Sequence, residues 1–171
     1  MKVMIDIETL STESNALVLS IGAVKFTEER VAEVGFYQEL CHETQEILKR
    51  DVPSSTLEWW SQQTEHPPCG DVMPTKALVL LNDYVKDCDE VWFRGLQFDH
   101  VILESLYKDC GLNMGWKFWQ VRDSRTLDTF NIKREDKPIV RHNALDDAKQ
   151  QALDVVNVFD TLDRINILAS S

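Results

Sequence analysis

The chain has 171 residues, which is the size of one ordinary domain, and no repeated period divides it. Apolar residues make up 43% and charged residues 27% of it, a composition typical of a globular protein and not of a fibrous or linker-rich one. A formal net charge of −11 argues against a long basic groove for a nucleic-acid backbone. It still allows an enzyme that grips only a chain end, because carboxylates loaded with divalent cations attract phosphate.

Membrane and redox functions are also disfavoured. No apolar stretch is long enough to span a bilayer, and the N-terminus lacks a basic-then-apolar signal pattern. We therefore expect a cytoplasmic protein that does not contact a membrane. The four cysteines lie far apart without a C-x-x-C pair, so neither a zinc ribbon nor a redox motif is indicated.

The first forty residues predict three strands. Lys2–Glu8 and Ala16–Phe26 are rich in β-branched and apolar residues, and the turn residues between them favour a hairpin. Val31–Leu40 alternates apolar and polar side chains and would extend an antiparallel meander.

Helical spacing begins after Pro53. A cap within residues 54–56 would begin a short helix that contains Trp59 and Trp60. Pro74 would be the first residue of a second helix, in which apolar residues recur every three or four positions.

A strand and then a helix are predicted near the middle of the chain. Glu90–Arg94 is predicted as a short strand that ends at Gly95. Phe98–Cys110 returns to helical spacing, and Gly111 would terminate that helix.

The last third of the chain is irregular before one long helix. We predict a strand over Trp116–Val121, a helical turn over Thr126–Asn131 and a polar loop over Lys133–Arg141. From Asn143 to about Leu168 the apolar residues predict an amphipathic helix. The order of elements predicts a single α/β domain over residues 1–171, in which helices flank a mixed sheet.

Asp6 and Glu8 are the first candidates for chemistry. They lie two residues apart in the first predicted strand, so both carboxylates would point to one face of the sheet. This arrangement suits metal ligands. The alternative is a strand with one solvated face, which is commoner for an isolated D-x-E pair.

Asp99, Asp147 and His142 are the remaining candidates. Both aspartates fall at the predicted starts of helices, where amide groups and the helix dipole stabilise a carboxylate, so each could also be a simple capping acid. His142 precedes the last helix and has no apolar neighbours in sequence that would make it a core histidine.

The five residues together have the composition that phosphodiester hydrolysis requires. Two divalent ions can be held about 3.5 to 4 Å apart by shared carboxylates, and hard oxygen ligands favour magnesium or manganese over zinc. A histidine beside them can accept the proton of the attacking water near neutral pH.

The runs DIET, FD and HNALDD, in this order, resemble the three motifs of the DEDDh 3′-to-5′ exonucleases. Those motifs are D-x-E, an Asp that ends the second motif, and H-x-A-x-x-D. The run LEWWSQQ is similar to the compact bacterial and bacteriophage members, which are related to exoribonucleases that trim RNA tails. The resemblance implies a ribonuclease H-like fold and two magnesium ions, for which manganese would substitute. It also implies release of nucleoside monophosphates from the 3′ end of single-stranded DNA or RNA.

Residue roles follow from the same resemblance. The implied metal ligands are Asp6, Glu8, Asp99 and Asp147. The implied general base is His142, and the implied contacts to the terminal nucleotide are Thr9, Leu10 and Phe98. Many relatives have an Asn before the Phe-Asp of the second motif, where this chain has Arg94 and Gly95, so substrate preference stays open. A homodimer is suggested by the resemblance alone.

Two other functions remain as alternatives: an endonuclease on the same sheet, and a catalytically silent module that binds nucleic acid. Trp59 and Trp60 could stack on bases, but neighbours on a helix cannot share one face, so at least one is expected in the core. The basic residues of the predicted loop over Lys133–Arg141 could touch phosphates, although a solvated charged loop is the simpler interpretation.

Overall fold

The computed structural model describes residues 1–62, 67–132 and 143–170. Within these residues, five strands form one mixed sheet in the order β3-β2-β1-β4-β5. The strands are β1 (Lys2–Thr9), β2 (Val18–Phe26), β3 (Phe36–Glu39), β4 (Glu90–Phe93) and β5 (Val121–Asp123).

The sheet joins an antiparallel half to a parallel half. Strand β2 pairs antiparallel with β1 and with β3, while β4 pairs parallel with β1 and with β5. The predicted meander and the mixed sheet are therefore confirmed. The third strand is shorter than predicted, because Val34 is 82% exposed and Val31 forms only an isolated bridge with Phe26.

Five α-helices accompany the sheet in the described residues. They are α1 (His42–Ile47), α2 (Ser54–Ser61), α3 (Pro74–Val85), α4 (Asp99–Asp109) and α5 (Ala144–Ala169). The sequence did not predict α1, whose six residues are too few to show helical periodicity. Helix α2 has Pro53 as its N-cap and no side-chain cap, so the cap predicted within residues 54–56 was wrong.

The segment before β5 also differs from the prediction. Phe118–Gln120 forms a short 3₁₀ helix with exposed aromatic side chains, and the strand begins only at Val121. The strand predicted over Trp116–Val121 was therefore wrong. A second 3₁₀ helix over Ser124–Phe130 confirms the predicted helical turn. The loop predicted over Lys133–Arg141 lies outside the described residues.

The two faces of the sheet pack against different helices. Val3, Ile5 and Ile7 of β1 pack against α3 and α4 in the larger hydrophobic core. Met4, on the opposite face, packs with Ala148 and other residues of α5 in a second core. The alternation of a strand therefore sends the even-numbered residues of β1, Asp6 and Glu8 included, toward α5.

No helix in the described part of the chain is both long and apolar enough to cross a membrane.

Candidate active site

Three carboxylates converge where β1 meets the start of α5. Asp6 and Glu8 come from the α5-facing side of β1, and Asp147 comes from the first turn of α5. One carboxylate oxygen from each of the three lies within 4.8 Å of the others. Asp6 is only 8% exposed, so this is a partly buried acidic site and not a solvated surface cluster.

Gly22 allows the helix to approach the strand this closely. Gly22 pairs with Asp6 across the β1–β2 ladder, and a Cβ placed on it would overlap the backbone of Ala144 and the amide nitrogen of Leu145. Asn143 caps the helix, because its Oδ1 accepts hydrogen bonds from Leu145 N at 3.0 Å and from Asp146 N at 3.1 Å. The first turn of α5, which carries Asp147, is therefore fixed beside Asp6.

Asp99 lies beside this group of three. It is the first residue of α4 and is 4% exposed, and its carboxylate accepts a hydrogen bond from the backbone N–H of Ile7 in β1. It is not among the three carboxylates that lie within 4.8 Å of one another. Its charge nevertheless raises the pKa of both Asp6 and Glu8, so it belongs to the same electrostatic site.

Burial and mutual repulsion hold protons on these acids. Burial raises the pKa of Asp6 well above its usual range, and the negative charge of Asp99 adds to that rise. Burial also raises the pKa of Glu8 to about 7, with a further contribution from Asp147. For Asp99, burial raises the pKa to about 7 against the hydrogen bond from Ile7.

The cluster has the donor set of a divalent-cation site. All of its ligating atoms are carboxylate oxygens, which hard cations prefer. A bound cation would offset the repulsion that adds to the effect of burial on these pKa values. The described residues therefore fit a divalent metal ion.

A comparison of the sequence with family models decides the class of protein. The model of the 3′-5′ exoribonuclease Rv2179c-like domain matches residues 1–159. The chain belongs to this family. It is a 3′-5′ exonuclease, and the prediction of an enzyme is confirmed.

Solved structures agree on the fold of this Rv2179c-like domain. Exonuclease X, solved in complex with 5′ overhanging duplex DNA, is similar with a TM-score of 0.60 at 12% identity, over 94% of this chain and 92% of that one. The nuclease domain of 3′hExo, a DEDDh family member bound to rAMP, has a TM-score of 0.60 at 16% identity with the same coverage, 94% and 92%. No curated protein matches the sequence. The predicted α/β fold, a mixed sheet flanked by helices, is confirmed, and its likeness to the nuclease domain of a DEDDh family member agrees with the resemblance.

The structure describes the predicted substrate contacts of the Rv2179c-like domain but not its predicted general base. His142 lies outside the described residues. The Thr9 hydroxyl, at the end of β1, donates a hydrogen bond of 2.7 Å to the Ser11 carbonyl oxygen. Leu10 is 5% exposed and packs with Trp60, and Phe98 is half-buried at the N-cap of α4 against the larger core. Their contacts with a nucleotide remain predictions.

Trp59 and Trp60 have separate environments in the Rv2179c-like domain. Trp60 is 5% exposed and belongs to a small core with Leu10, Leu17 and Leu19. Trp59 is 43% exposed and contacts the Trp60 ring edge-on, with the ring centroids 5.1 Å apart. The expectation that at least one of the two is a core residue is confirmed.

Sequence reasoning missed Gln151. Its Nε2 donates a hydrogen bond of 2.7 Å to Asp6 Oδ1. Gln151 lies four residues after Asp147, on the same face of α5, and that spacing is the one signal in the sequence that pointed to it. A polar side chain one turn after a candidate ligand is common, so the spacing alone would not have singled it out.

Proposed function

We propose that this 3′-5′ exonuclease releases nucleoside 5′-monophosphates from single-stranded DNA or RNA with two magnesium ions, for which manganese would substitute. Asp6, Glu8, Asp99 and Asp147 would hold the metal ions. The observation that carries the proposal is the convergence of Asp6, Glu8 and Asp147 within 4.8 Å in a partly buried site.

The comparisons support nucleic acid as the substrate and lean toward RNA. The matching family is described as an exoribonuclease domain. One similar structure is a nuclease domain bound to rAMP, a nucleoside monophosphate of the kind that we propose as product, and the other is bound to DNA. We therefore propose that the enzyme accepts both polymers and prefers RNA.

Different residues of the chain would have different roles in the reaction. Bound divalent cations would neutralise charge at the scissile phosphate and acidify the attacking water. His142 would accept the proton of that water, as its place just before α5 in the H-x-A-x-x-D motif supports. The terminal nucleotide would contact Thr9, Leu10 and Phe98. The side chain of Leu10 packs with Trp60 in a small core.

A time course on matched oligonucleotides tests the proposal. DNA and RNA strands of one sequence, labelled at the 5′ end, are incubated with magnesium, manganese or chelator. We expect ladders that shorten from the 3′ end with either metal and no cleavage with chelator. The rate on RNA should exceed the rate on DNA.

Three variants and one control assign the roles. Asp6→Ala and His142→Ala should lose turnover without losing the fold, which circular dichroism would check. Asp147→Asn should also lose turnover, whereas Asp146→Asn, which removes a negative charge from the neighbouring exposed residue, should not. Full activity of Asp6→Ala would refute the metal site. Released products longer than one nucleotide would favour the endonuclease instead.

A further inference from the structure

Arg125 is tied to the loop that leads into Asp99. The carboxylate of Asp123, at the end of β5, accepts hydrogen bonds from the backbone nitrogens of Arg125 at 2.9 Å and of Gly95 at 3.1 Å through Oδ1. Its Oδ2 accepts a third from Leu96 N at 3.3 Å. One side chain therefore fixes the start of the Arg125 segment against the segment between β4 and α4.

The guanidinium of Arg125 lies over the backbone of Gly95. A Cβ placed on Gly95 would be 3.2 Å from Arg125 Nε and 3.5 Å from both Cζ and Nη2. Gly95 also has a φ of +109°, a conformation that residues with a side chain rarely adopt. A glycine at this position thus leaves the space that the guanidinium occupies.

Arg125 is exposed, and its charge lies beside the segment that leads into the acidic site. Among the residues that the structure describes, no carboxylate oxygen pairs with it within 4 Å, whereas Arg94 pairs with Asp128 and Arg122 with Glu90. The Arg125 side chain rests on Gly95, which lies in the segment that leads from β4 into Asp99, and its positive charge also lowers the pKa of Asp99. Arg125 is therefore a preorganised cation at the rim of the site.

We propose that Arg125 binds a non-bridging phosphate oxygen of the substrate strand beside the carboxylate cluster. An arginine presents paired N–H donors that match phosphate oxygens, and holding the side chain in place reduces the entropy lost on binding. The contact supplies substrate affinity in a chain whose net charge is −11. This inference rests on the proposed function, because it requires that a nucleic-acid end enters this site.

A purely structural role for Arg125 predicts different behaviour. If the guanidinium only balanced the charge of Asp99, its loss would change metal affinity and leave the salt dependence of nucleic-acid binding unchanged. If it binds phosphate, its loss raises KM and removes about one counterion-releasing contact, while metal affinity is retained.

The experiment compares Arg125→Gln and Arg125→Lys with the matched control Arg122→Gln. Both positions are exposed or half-exposed, and Arg122 bonds to Glu90 and to the backbone carbonyl oxygens of Trp119 and Val121. Steady-state kinetics on the labelled RNA strand gives KM and kcat. Fluorescence anisotropy of a labelled strand gives Kd as a function of salt concentration, measured with magnesium in a His142→Ala background so that the strand is not cleaved. Calorimetric titration with manganese gives the metal affinity.

We expect Arg125→Gln to raise KM and Kd by roughly ten- to a hundredfold, the value of a hydrogen bond to a charged group, with kcat much less affected. The slope of log Kd against log salt should become shallower by about 0.7, the value for one contact to a single strand. Arg125→Lys should retain that slope with part of the affinity, and Arg122→Gln should match the wild type.

Unchanged KM, Kd and salt slope in Arg125→Gln would overturn the proposal, as would an equal effect of Arg122→Gln. A change in manganese affinity with an unchanged salt slope would also overturn it in favour of the structural role. If the wild type cleaves neither strand, the proposed function fails by itself, and the anisotropy measurement still decides whether Arg125 binds phosphate.

Discussion

The side-chain amide of Gln151 donates a hydrogen bond of 2.7 Å from Nε2 to Oδ1 of Asp6, across 145 residues of sequence. Gln151 lies one turn after Asp147, so one face of α5 carries both a candidate ligand and the donor that orients another. The bond restricts the rotation of the Asp6 carboxylate. The Oε1 atom of Gln151 is buried and accepts no hydrogen bond from the described residues.

Gln151→Leu is expected to weaken metal binding while the fold is kept. Removal of a hydrogen-bonding partner behind a metal ligand typically costs about ten- to a hundredfold in metal affinity. Calorimetric titration of the variant with manganese would measure the loss. Gln150→Leu is the matched control, because Gln150 is the adjacent residue and bonds to Asp154 at 3.1 Å. Equal manganese affinity in the two variants would contradict the positioning role.

The stability of the chelated protein is expected to fall as pH rises. In the folded protein, the pKa of Glu8 is raised from 4.5 to about 7 and that of Asp99 from 3.8 to about 7. The folded state therefore binds more protons than the unfolded state between these values, so the free energy of unfolding decreases with pH. The contribution is fully present below about pH 4 and is lost by about pH 7 to 8. Thermal unfolding in chelator from pH 4 to pH 8 would measure it.

Glu8→Gln tests the cause of that pH dependence. Because a neutral amide replaces a carboxyl group whose charged form is disfavoured by burial and by repulsion, the variant should be more stable than the wild type at pH 8 in chelator, by roughly 1 to 3 kcal/mol. Magnesium should raise the melting temperature of the wild type at pH 8 more than that of the variant. A flat pH profile for the chelated wild type would show that burial and repulsion do not raise the pKa of these acids.

Gly22→Ala is expected to impair metal binding and activity through the backbone. The added methyl group would overlap the backbone of Ala144 and displace the first turn of α5, which carries Asp147. Overpacking of this kind typically costs about 1 to 3 kcal/mol of stability. Manganese titration and exonuclease rate should both decline, measured well below the melting temperature of the variant.

Gly111→Ala separates that effect from simple destabilisation. Gly111 has a φ of +66° and a Cβ on it would meet nothing within 4 Å, so the substitution strains the backbone without a clash. We expect a loss of about 1 kcal/mol with normal manganese affinity. If the two alanine variants lose stability but bind manganese equally well, the proposed role of Gly22 is wrong.

Local sequence patterns were sufficient to predict the features that depend on residues close together in the chain. The alternation of β1 predicts that Asp6 and Glu8 share a face, since a strand repeats every two residues. The spacing of apolar residues predicts α5, and the turn chemistry around Gly95 predicts that Asp99 begins a helix. The same reasoning failed for α1 and for the segment before β5, where short elements follow their packing and not their own periodicity.

The sequence by itself determined the class of fold and which acids could bind metal, because strand and helix periodicities and the order of the motifs are local properties of the chain. Only the tertiary structure showed that Gly22 lets α5 approach Asp6 closely and that Gln151 forms a hydrogen bond with that carboxylate. It alone also showed that Arg125 lies over Gly95. Each of these relationships joins residues far apart in the chain. Such contacts arise from the packing of one element on another, which no local repeat specifies.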